Sequence, residues 1–391
     1  MMPRKLRRVT ELNNTGSDSR SAYEIALAFD SVGAAVDAFT TKDHVAFTLK
    51  VLPEYFETAC EVLADMLLRP AMDPQLVTLE QAVICEEIQE AHDTPEERLH
   101  DAFAAHVFAG HPRSRPILGT RTSVRSFDSN LLQQQHRVLF AGANLVISLA
   151  GNLENGAHDT VWRHFEAPPP AGSPADVQSA VAAPEPGAAN SDSAVSGPEV
   201  AGTRPEVKNG RLELHSAIVQ SYFEIGNLAI SYRHPDRIPL RVLSNVLGGG
   251  MSSRIFQAVR EREGLAYTIY TYCDMGQDIG LVSCAGACTP DNLGRVEDLV
   301  RREYQQLLRD GVLPEELANN CAQIKSQLVF SLEGVLNQMY RNALNEIQYG
   351  RFIPVAELVD QIDSVDCSTI LRCAESYFHP DHLIVATHGP A

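Results

Sequence analysis

The fold is decided by one stretch in the second half of the chain, LGGGMSSRIFQAVREREGLAY, which spans residues 247–267. Three glycines follow an apolar, helix-like run, and Ser252 and Ser253 precede a second helical segment. Because glycine permits tight backbone conformations, the residues alone predict a flexible turn or hinge between two helices. A phosphate-binding loop is excluded, since no Lys-Ser/Thr pair and no strand-loop-helix context is present. On the same reading Arg260 is a helix-surface charge and Tyr267 a strand aromatic.

Two parts of the sequence resemble each other at a nearly constant spacing. One segment runs from Leu139 to Gly151, and a similar segment runs from Tyr377 to Gly389. Their starts and their ends are both 238 positions apart. Further matches, at a spacing of 240, are Leu67-Leu68-Arg69 with Leu307-Leu308-Arg309, and Gly110 with Gly350. Self-similarity at one spacing indicates a duplicated domain.

Each copy shows the same succession of predicted elements. A helix ends at a glycine, two strands follow, a proline opens a long helix, further helices come next, and a final strand closes the copy. The landmarks are Gly33 and Gly264 for the helix ends, 36–41 and 267–272 for the first strands, 45–51 and 280–287 for the second strands, and Pro53 and Pro290 for the helix starts. This order predicts an α+β fold, with helices packed on one face of a mainly antiparallel sheet in each copy.

Residues 168–209 separate the two copies. The segment contains eight prolines and no Leu, Ile, Phe, Met, Trp or Tyr. Such a composition cannot bury enough apolar surface to offset the entropy of ordering, so the segment is predicted to be a flexible linker. The predicted organisation is an N-terminal domain at 1–167, the linker at 168–209 and a C-terminal domain at 210–391.

Composition narrows the class of partner and the cellular setting. The chain has 391 residues, a net charge of −18 and 44% hydrophobic residues, which disfavours nucleic acid and anionic membranes as partners. No apolar run approaches the roughly 20 residues that a membrane helix needs. Eight cysteines without a Cys-x-x-Cys pair predict buried thiols in a reducing compartment. Because no secretory signal is visible, we expect a cytoplasmic protein.

Two carboxylates stand out within one predicted helix. Glu80 and Glu87 are seven residues apart and therefore lie two turns apart on the same helix face. At the spacing of the duplication, the second copy has Asn320 and Gln327 instead. Acids in one copy and amides in the other suggest a charge-dependent role for the first copy, although for such a pair alone a solvated acidic helix face is the more frequent explanation.

Several motifs together resemble the insulinase, pitrilysin and mitochondrial processing peptidase family of zinc metallopeptidases. The stretch 247–267 resembles the signature of that family's second domain. The resemblance runs from about residue 16 to the end, apart from the linker. The other matching segments are Arg20-Ser21-Ala22, Asp37-Ala38-Phe39-Thr40, the helix with Glu80 and Glu87, Pro116-Ile117-Leu118-Gly119-Thr120, Tyr349-Gly350-Arg351 and Ile353-Pro354. The resemblance implies two similar domains facing across a peptide-binding chamber.

The resemblance also implies roles for individual residues. It places Glu87 at the distal carboxylate ligand of zinc and Glu80 at a supporting acidic position. It places Arg260 and Tyr267 at a pair that contacts the substrate peptide near the scissile carbonyl, where a guanidinium and a phenol can donate hydrogen bonds to developing negative charge. The segment 37–41 corresponds to an edge strand that pairs with an extended peptide. The substrate-binding residues of that strand are Ala38, Phe39 and Thr40.

The family's catalytic motif is missing from this sequence. H-x-x-E-H, in which two histidines bind zinc and the glutamate is the general base, should occupy residues 7–11. Those positions hold Arg, Arg, Val, Thr and Glu, and no histidine precedes His44. Zinc in catalytic sites normally has three protein ligands. We therefore expect that Glu87 alone does not retain zinc and that the chain by itself does not hydrolyse peptides.

Two explanations for the missing motif remain open. In the first, the start of the chain is truncated or frame-shifted relative to a metalloendopeptidase, since the family pattern resumes abruptly at Arg20. In the second, the chain is a noncatalytic peptide-binding or structural subunit that forms a homo- or hetero-dimer with a family member bearing H-x-x-E-H. In either case the first sheet would have an unpaired edge, so the isolated chain is predicted to have low stability or to depend on a partner.

Overall fold

The computed structural model describes residues 16–153, 155–166, 205, 210–380 and 383–391. Nearly all of the predicted linker and all of positions 7–11 therefore lie outside the described residues. The N-terminal half contains α1 (Ala22–Ser31), β1 (Ala35–Thr40), β2 (Val45–Lys50), α2 (Phe56–Leu68), α3 (Pro74–Asp93), α4 (Pro95–Val107), α5 (Arg121–Arg125), α6 (Ser129–Leu139) and α7 (Ala157–Phe165).

The C-terminal half repeats this order with additional strands at its start. Its elements are β3 (Arg211–Ser216), β4 (Ser221–Ala229), α8 (Arg237–Gly248), α9 (Arg254–Phe256), β5 (Ala266–Met275), β6 (Gly280–Cys288), α10 (Leu293–Asp310), α11 (Pro314–Ser331), α12 (Val335–Tyr349), α13 (Val355–Asp363), α14 (Cys367–Tyr377) and β7 (Ile384–Pro390). A π-helical turn, Gln257–Glu261, continues α9. The α+β class and the duplicated order are thus confirmed.

The C-terminal half has a five-stranded sheet in the order β3-β7-β4-β6-β5. β3 and β7 are parallel, and the other neighbours are antiparallel. The helices α8, α10 and α14 pack on one face of this sheet, where Leu240, Leu243, Tyr304 and Ile370 are fully buried. This apolar layer holds α8 and β5 in fixed positions, and the stretch 247–267 connects them.

The N-terminal half has a sheet of two described strands, in which β1 pairs with β2 alone. The expected final strand of this copy is wrong: residues 145–150 are not in a strand, whereas their counterpart in the C-terminal half is β7. The physical reason is a lack of hydrogen-bond partners. β7 lies between β3 and β4, and the described part of the N-terminal half contains no counterpart of either strand.

The predicted helix ends at glycines agree with the structure, whereas the predicted helix starts at prolines do not. Gly33 and Gly264 follow helical segments with φ of 60° and 62°, the left-handed conformation expected at a helix end. Pro53 and Pro290 do not open long helices directly; each begins a three-residue 3-10 turn, and α2 and α10 start after these turns. The backbone tightens before the long helix in both copies, which further supports the duplication.

The two halves exchange helices across their interface. α4 belongs to the N-terminal half but packs on the second face of the C-terminal sheet, where Phe103 and Val107 are buried together with Leu281 and Ile384. α12 belongs to the C-terminal half and contacts the β1–β2 turn. The sequence predicted helices on one sheet face and did not predict that each half supplies a helix to the other.

A buried arginine also ties the halves together. The guanidinium of Arg113 is almost fully buried and donates hydrogen bonds to Asp43 at 2.8 Å and to Asp274 at 2.6 Å. Asp43 lies in the β1–β2 turn and Asp274 lies on β5. One side chain therefore connects the first hairpin to the edge strand of the second sheet.

Two further observations concern the helices and the cysteines. No helix of the described residues is long and apolar enough to cross a membrane. All eight cysteines are free, and six of them are buried. Buried free thiols behave as small apolar core residues, as the sequence predicted.

Candidate functional site

Arg260 and Tyr267, which the sequence placed in one substrate-binding pair, are in contact. The Arg260 guanidinium carbon lies 4.8 Å from the centre of the Tyr267 ring and 4.8 Å from the centre of the Phe256 ring. Tyr267 is 81% exposed, so the guanidinium is held over aromatic faces beside solvent. Such cation–π contacts orient the charge without neutralising it. The pair can therefore donate hydrogen bonds to a ligand at the surface.

Two backbone irregularities present this pair. Arg260 lies in the π-helical turn, a conformation that is frequent at functional sites. Tyr267 lies in a bulge of β5, where the pairing with β6 shifts between Ala266 and Thr268. The sequence signature predicted neither irregularity.

The glycines before α9 lie in crowded surroundings, and a side chain at Gly248 or Gly249 would clash with neighbouring atoms. A Cβ atom at Gly248 would lie 2.2 Å from the Thr271 hydroxyl, and one at Gly249 would lie 2.0 Å from the Asn245 side-chain oxygen. Neither glycine has a left-handed backbone. The predicted turn between two helices is present, because the chain turns between the end of α8 at Gly248 and the start of α9 at Arg254. Gly248 in addition lets α8 approach β5 closely.

Glu80 and Glu87 lie on α3, as predicted, and both side chains are half-buried. Burial raises the pKa of Glu80 above its usual value, and the negative charge of Glu87 raises it further. The Glu87 charge therefore disfavours the ionised form of Glu80, as nearby like charges do. In α11 the counterpart Asn320 accepts a hydrogen bond of 2.7 Å from Asn245 on α8.

The residues present do not fit a catalytic zinc ion. Among the described residues there is no group of three or more His, Cys, Asp or Glu side chains that could hold a metal. Positions 7–11 lie outside the described residues and contain no histidine. Glu80 and Glu87 supply two carboxylates from one helix, which is fewer than the three ligands of catalytic zinc sites. We derive no chemical step through a metal for this chain.

β1 presents the predicted peptide-binding strand. Ala38, Phe39 and Thr40 pair with Phe47, Ala46 and Val45 of β2. The other edge of β1 has no strand beside it among the described residues, and Ala38 and Phe39 are exposed. An open edge of this kind can accept an extended peptide by backbone hydrogen bonds. The Phe39 ring also packs against Tyr340 of α12, with ring centres 5.4 Å apart.

A cavity of about 670 Å³ lies between the halves, and the sequence did not predict it. It is bounded by the start of α4, the face of β4 to β6 and the loop with Ile117 and Leu118. Its carboxylates outnumber its basic groups. The acidic lining residues are Glu96, Glu97, Asp101 and Glu224, and the basic ones are Lys42 and His100. The cavity is large enough for a long side chain and has a net negative lining.

Glu224 is the most buried carboxylate of this cavity. Its oxygens accept hydrogen bonds from the Tyr272 hydroxyl and, at 3.0 Å, from the Ser283 hydroxyl. His100, from the other half of the chain, lies 3.4 Å from the second oxygen. The hydrogen bond with Glu224 raises the pKa of His100, and burial raises the pKa of Tyr272. The group is a hydrogen-bonded link between α4 and the C-terminal sheet.

Two sequence signals could have pointed to this cavity. Glu97 and Asp101 are four residues apart and share one face of α4. Glu224 is the one acid of β4 and lies between the apolar Phe223 and Ile225, and a buried acid in such a position needs partners. The partners themselves come from distant parts of the chain, so the sequence could not have assembled the group.

Fold and site together define a class: a duplicated α+β chain of the peptidase type, with an Arg–Tyr pair and an acidic cavity between its halves. Solved structures share this fold. A peptidase M16 inactive domain from Pseudomonas fluorescens aligns with a TM-score of 0.80 and 18% identity, covering 98% of this chain and 88% of that one. A protease from Helicobacter pylori aligns with a TM-score of 0.82 and 15% identity, covering 100% of this chain and 91% of that one.

The sequence comparisons identify the family. The family model described as insulinase (peptidase family M16) matches residues 9–121, and the one described as peptidase M16 inactive domain matches residues 126–324. An uncharacterized zinc protease of Bacillus subtilis is 30% identical over 94% of this chain and 84% of its own length. One of Streptomyces coelicolor is 30% identical over 90% of this chain and 73% of its own. This chain belongs to the insulinase family, peptidase family M16, whose relatives are named zinc proteases.

Proposed function

We propose that this chain binds extended peptides between its halves and does not hydrolyse them by itself. The observation that carries the proposal is the Arg260–Tyr267 pair, which is stacked, solvent-facing and located at the start of the edge strand β5. A peptide paired with a strand edge would present a backbone carbonyl to these two donors. The open edge of β1 offers a second place for the same peptide backbone.

The acidic cavity supports a preference for peptides with a basic side chain. Tyr270 and Tyr272, further along β5, line the cavity, and the Tyr270 hydroxyl donates a hydrogen bond of 3.1 Å to Glu96. A peptide that follows β5 would pass this opening. An arginine side chain entering it would meet Glu97 and Asp101, and guanidinium–carboxylate hydrogen bonds are among the strongest in proteins.

The proposed lack of hydrolysis by the chain alone is based on its incomplete set of metal ligands and its missing general base. By the resemblance, Glu87 and Glu80 fall at the family's acidic positions, but positions 7–11 hold neither the two histidines nor the general base of the motif. Catalysis by the family would require those groups. On this proposal the chain acts as a peptide-binding subunit, and a family member that carries H-x-x-E-H provides any hydrolysis.

A binding titration tests the proposal. A labelled extended peptide with one central arginine is titrated with the full chain and followed by fluorescence anisotropy. We expect Arg260→Ala to weaken binding about tenfold or more, because a charge-assisted hydrogen bond is lost. Arg262→Ala is the matched control, since Arg262 lies two residues away and is exposed. Replacing the peptide arginine by citrulline should weaken binding to the wild-type chain, and less so to Glu97→Gln.

Two results would contradict the proposal. Equal affinity of the wild-type, Arg260→Ala and Arg262→Ala chains would show that the Arg260–Tyr267 pair does not contact the peptide. Cleavage of the peptide by the purified chain with added zinc, abolished by a chelator, would show that the chain is catalytic without a partner.

A further inference from the structure

The Arg260 side chain is held by aromatic rings and not by hydrogen bonds. Its guanidinium carbon lies 4.8 Å from the ring centres of both Phe256 and Tyr267. Among the described residues this side chain donates no hydrogen bond, and the Glu261 carboxylate lies 4.0 Å from its Nε, beyond hydrogen-bond distance. The side chain is also partly exposed. The N–H donors of this guanidinium are therefore available to a ligand.

The other arginines that stack on a ring have a different arrangement. Within the described ranges these are Arg113, Arg233, Arg237 and Arg341, and each of them contacts one ring. Each also donates hydrogen bonds to the protein. In the same order, the acceptors belong to Asp43 and Asp274, Gln348, Gln361 and Ile353. These four guanidinium groups connect parts of the fold, whereas Arg260 contacts two rings and keeps its donors unoccupied.

Arg254, six residues before Arg260, shows how the same segment uses an arginine for structure. Its Nε and one terminal nitrogen donate hydrogen bonds of 2.7 Å and 2.6 Å to the Glu316 carboxylate of α11. The same terminal nitrogen donates a hydrogen bond of 2.8 Å to the Gly311 carbonyl. Arg254 thus fastens the start of α9 to the neighbouring helix. The two arginines of this segment have different surroundings, and those of Arg260 suit a ligand-binding role.

Phe256 lies where it can fix the Arg260 side chain. It is four residues before Arg260, a spacing at which side chains of one helix face meet. The Phe256 ring packs against the core of the C-terminal half, and the adjacent Ile255 and Val259 are fully buried. The ring is therefore held in place, and it restricts the guanidinium that lies over it. A side chain that is ordered in advance loses less entropy when a ligand binds.

We propose that Phe256 is a positioning residue for peptide binding, an inference that rests on the proposed function because it concerns the same site. Its ring holds the Arg260 guanidinium beside Tyr267 and leaves the N–H donors free for a peptide carbonyl. Tyr267 can both contact the guanidinium and donate a hydrogen bond, whereas the Phe256 side chain has no donor. The contribution of Phe256 to affinity therefore passes through Arg260. It depends on the negative charge of the ring face and not on apolar bulk.

A fluorination series tests this role in the full chain while changing the size of the side chain little. Phenylalanine analogues with one, two and three ring fluorines replace Phe256, because fluorine withdraws electron density from the ring face. The probe is the labelled peptide with one central arginine, followed by fluorescence anisotropy. We expect the affinity to fall stepwise with each added fluorine, to a total loss of about two- to fivefold. A residue that only fills space would give the same affinity throughout the series.

A double-mutant cycle tests whether the effect passes through Arg260. Phe256→Leu removes the ring and keeps an apolar side chain. It should weaken peptide binding about two- to fivefold in the wild-type chain and have no further effect in a chain that carries Arg260→Ala. Phe352→Leu is the matched control, because it removes the ring that Arg341 contacts at 5.9 Å and should leave the affinity unchanged. Circular dichroism confirms that each variant is folded.

Two outcomes would overturn this inference and leave the proposed function in place. In the first, Arg260→Ala weakens peptide binding but the fluorinated chains all bind as tightly as the wild type, so the ring face does not hold the guanidinium. In the second, Phe256→Leu weakens binding equally with and without Arg260, so Phe256 acts independently of it. If Arg260→Ala itself has no effect, the proposed function is wrong and this inference is wrong with it.

Discussion

The helices α4 and α12 occupy equivalent places in the two halves and differ sharply in burial. α4 buries Leu99, Phe103 and Val107 against a five-stranded sheet, whereas among the described side chains of α12 Asn345 alone is buried. Residues 384–390 form a central strand, while the similar residues 145–150 form none. Similar segments thus adopt different states because their neighbours differ. The local sequence favours a strand, and the neighbouring strands determine whether that strand forms.

The largest predicted effect tests the burial difference directly. Phe103→Ala should lower the free energy of unfolding by about 3–5 kcal/mol, because a fully buried ring leaves a cavity in the C-terminal half. Ile347→Ala on α12 should cost less than about 1 kcal/mol, since the side chain is already exposed. Urea unfolding of both variants gives the comparison. Equal losses would show that α12 is as well packed as α4.

The second prediction concerns the connection between the halves. Arg113→Ala should destabilise the chain by about 1–3 kcal/mol, because the buried guanidinium loses its hydrogen bonds to Asp43 and Asp274, while these two partly exposed carboxylates remain solvated. Thermal unfolding should also separate into two steps, with the N-terminal half unfolding first. A single transition with an unchanged midpoint would mean that the arginine does not couple the halves.

The third prediction concerns the entry to α1 in the N-terminal half. Burial alone would raise the pKa of Asp65, but hydrogen bonds from Ser17, Ser19 and Arg20 lower it to about 2. A lowered pKa gives stability that is present above the unfolded value of 3.8 and is lost as the pH falls toward 2. Asp65→Asn should therefore cost about 2 kcal/mol at pH 7 and less at pH 3. A pH-independent loss would contradict this assignment.

The smallest predicted effects have opposite signs at two histidines of the N-terminal half, His100 and His44. The hydrogen bond with Glu224 raises the pKa of His100. Protonated His100 therefore stabilises the folded chain below pH 6.5, and this contribution is lost as the pH rises through the pKa of His100 in the folded state. Burial lowers the pKa of His44, whose side chain is hydrogen-bonded to Tyr340. The folded state favours neutral His44, so the contribution of this contact to stability decreases as the pH falls below 6.5. Thermal midpoints of His100→Gln and His44→Gln between pH 5.5 and 8 should show opposite pH trends. Because His100 is partly exposed, each effect should be a few tenths of a kcal/mol.

Much of the fold was predictable because it depends on repeated local patterns. The glycine positions 33 and 264, the strand pairs and the duplicated order all follow from short segments of sequence. The placement of α4 and α12 was not predictable, since α4 packs on the sheet of the other half and α12 contacts the β1–β2 turn of the other half. The missing strand at 145–150 was not predictable for the same reason, because its absence depends on strands elsewhere.

One part of the candidate site was predictable from the sequence and another part was not. Arg260 and Tyr267 are seven residues apart, so a sequence signature sufficed to place them together. Glu224 and His100 are 124 residues apart and meet through the packing of α4 on the C-terminal sheet. Their contact could be found from the three-dimensional structure and not from spacing.

Amide hydrogen exchange of the full chain tests the central claim most directly, namely that one half of the duplicated fold is complete and the other half is open. The account predicts strong protection of β4, β6 and residues 384–390, with rapid exchange of residues 145–150 and of the edge of β2. Equal protection of 145–150 and 384–390 in the monomeric chain would contradict it, because both segments would then be paired strands.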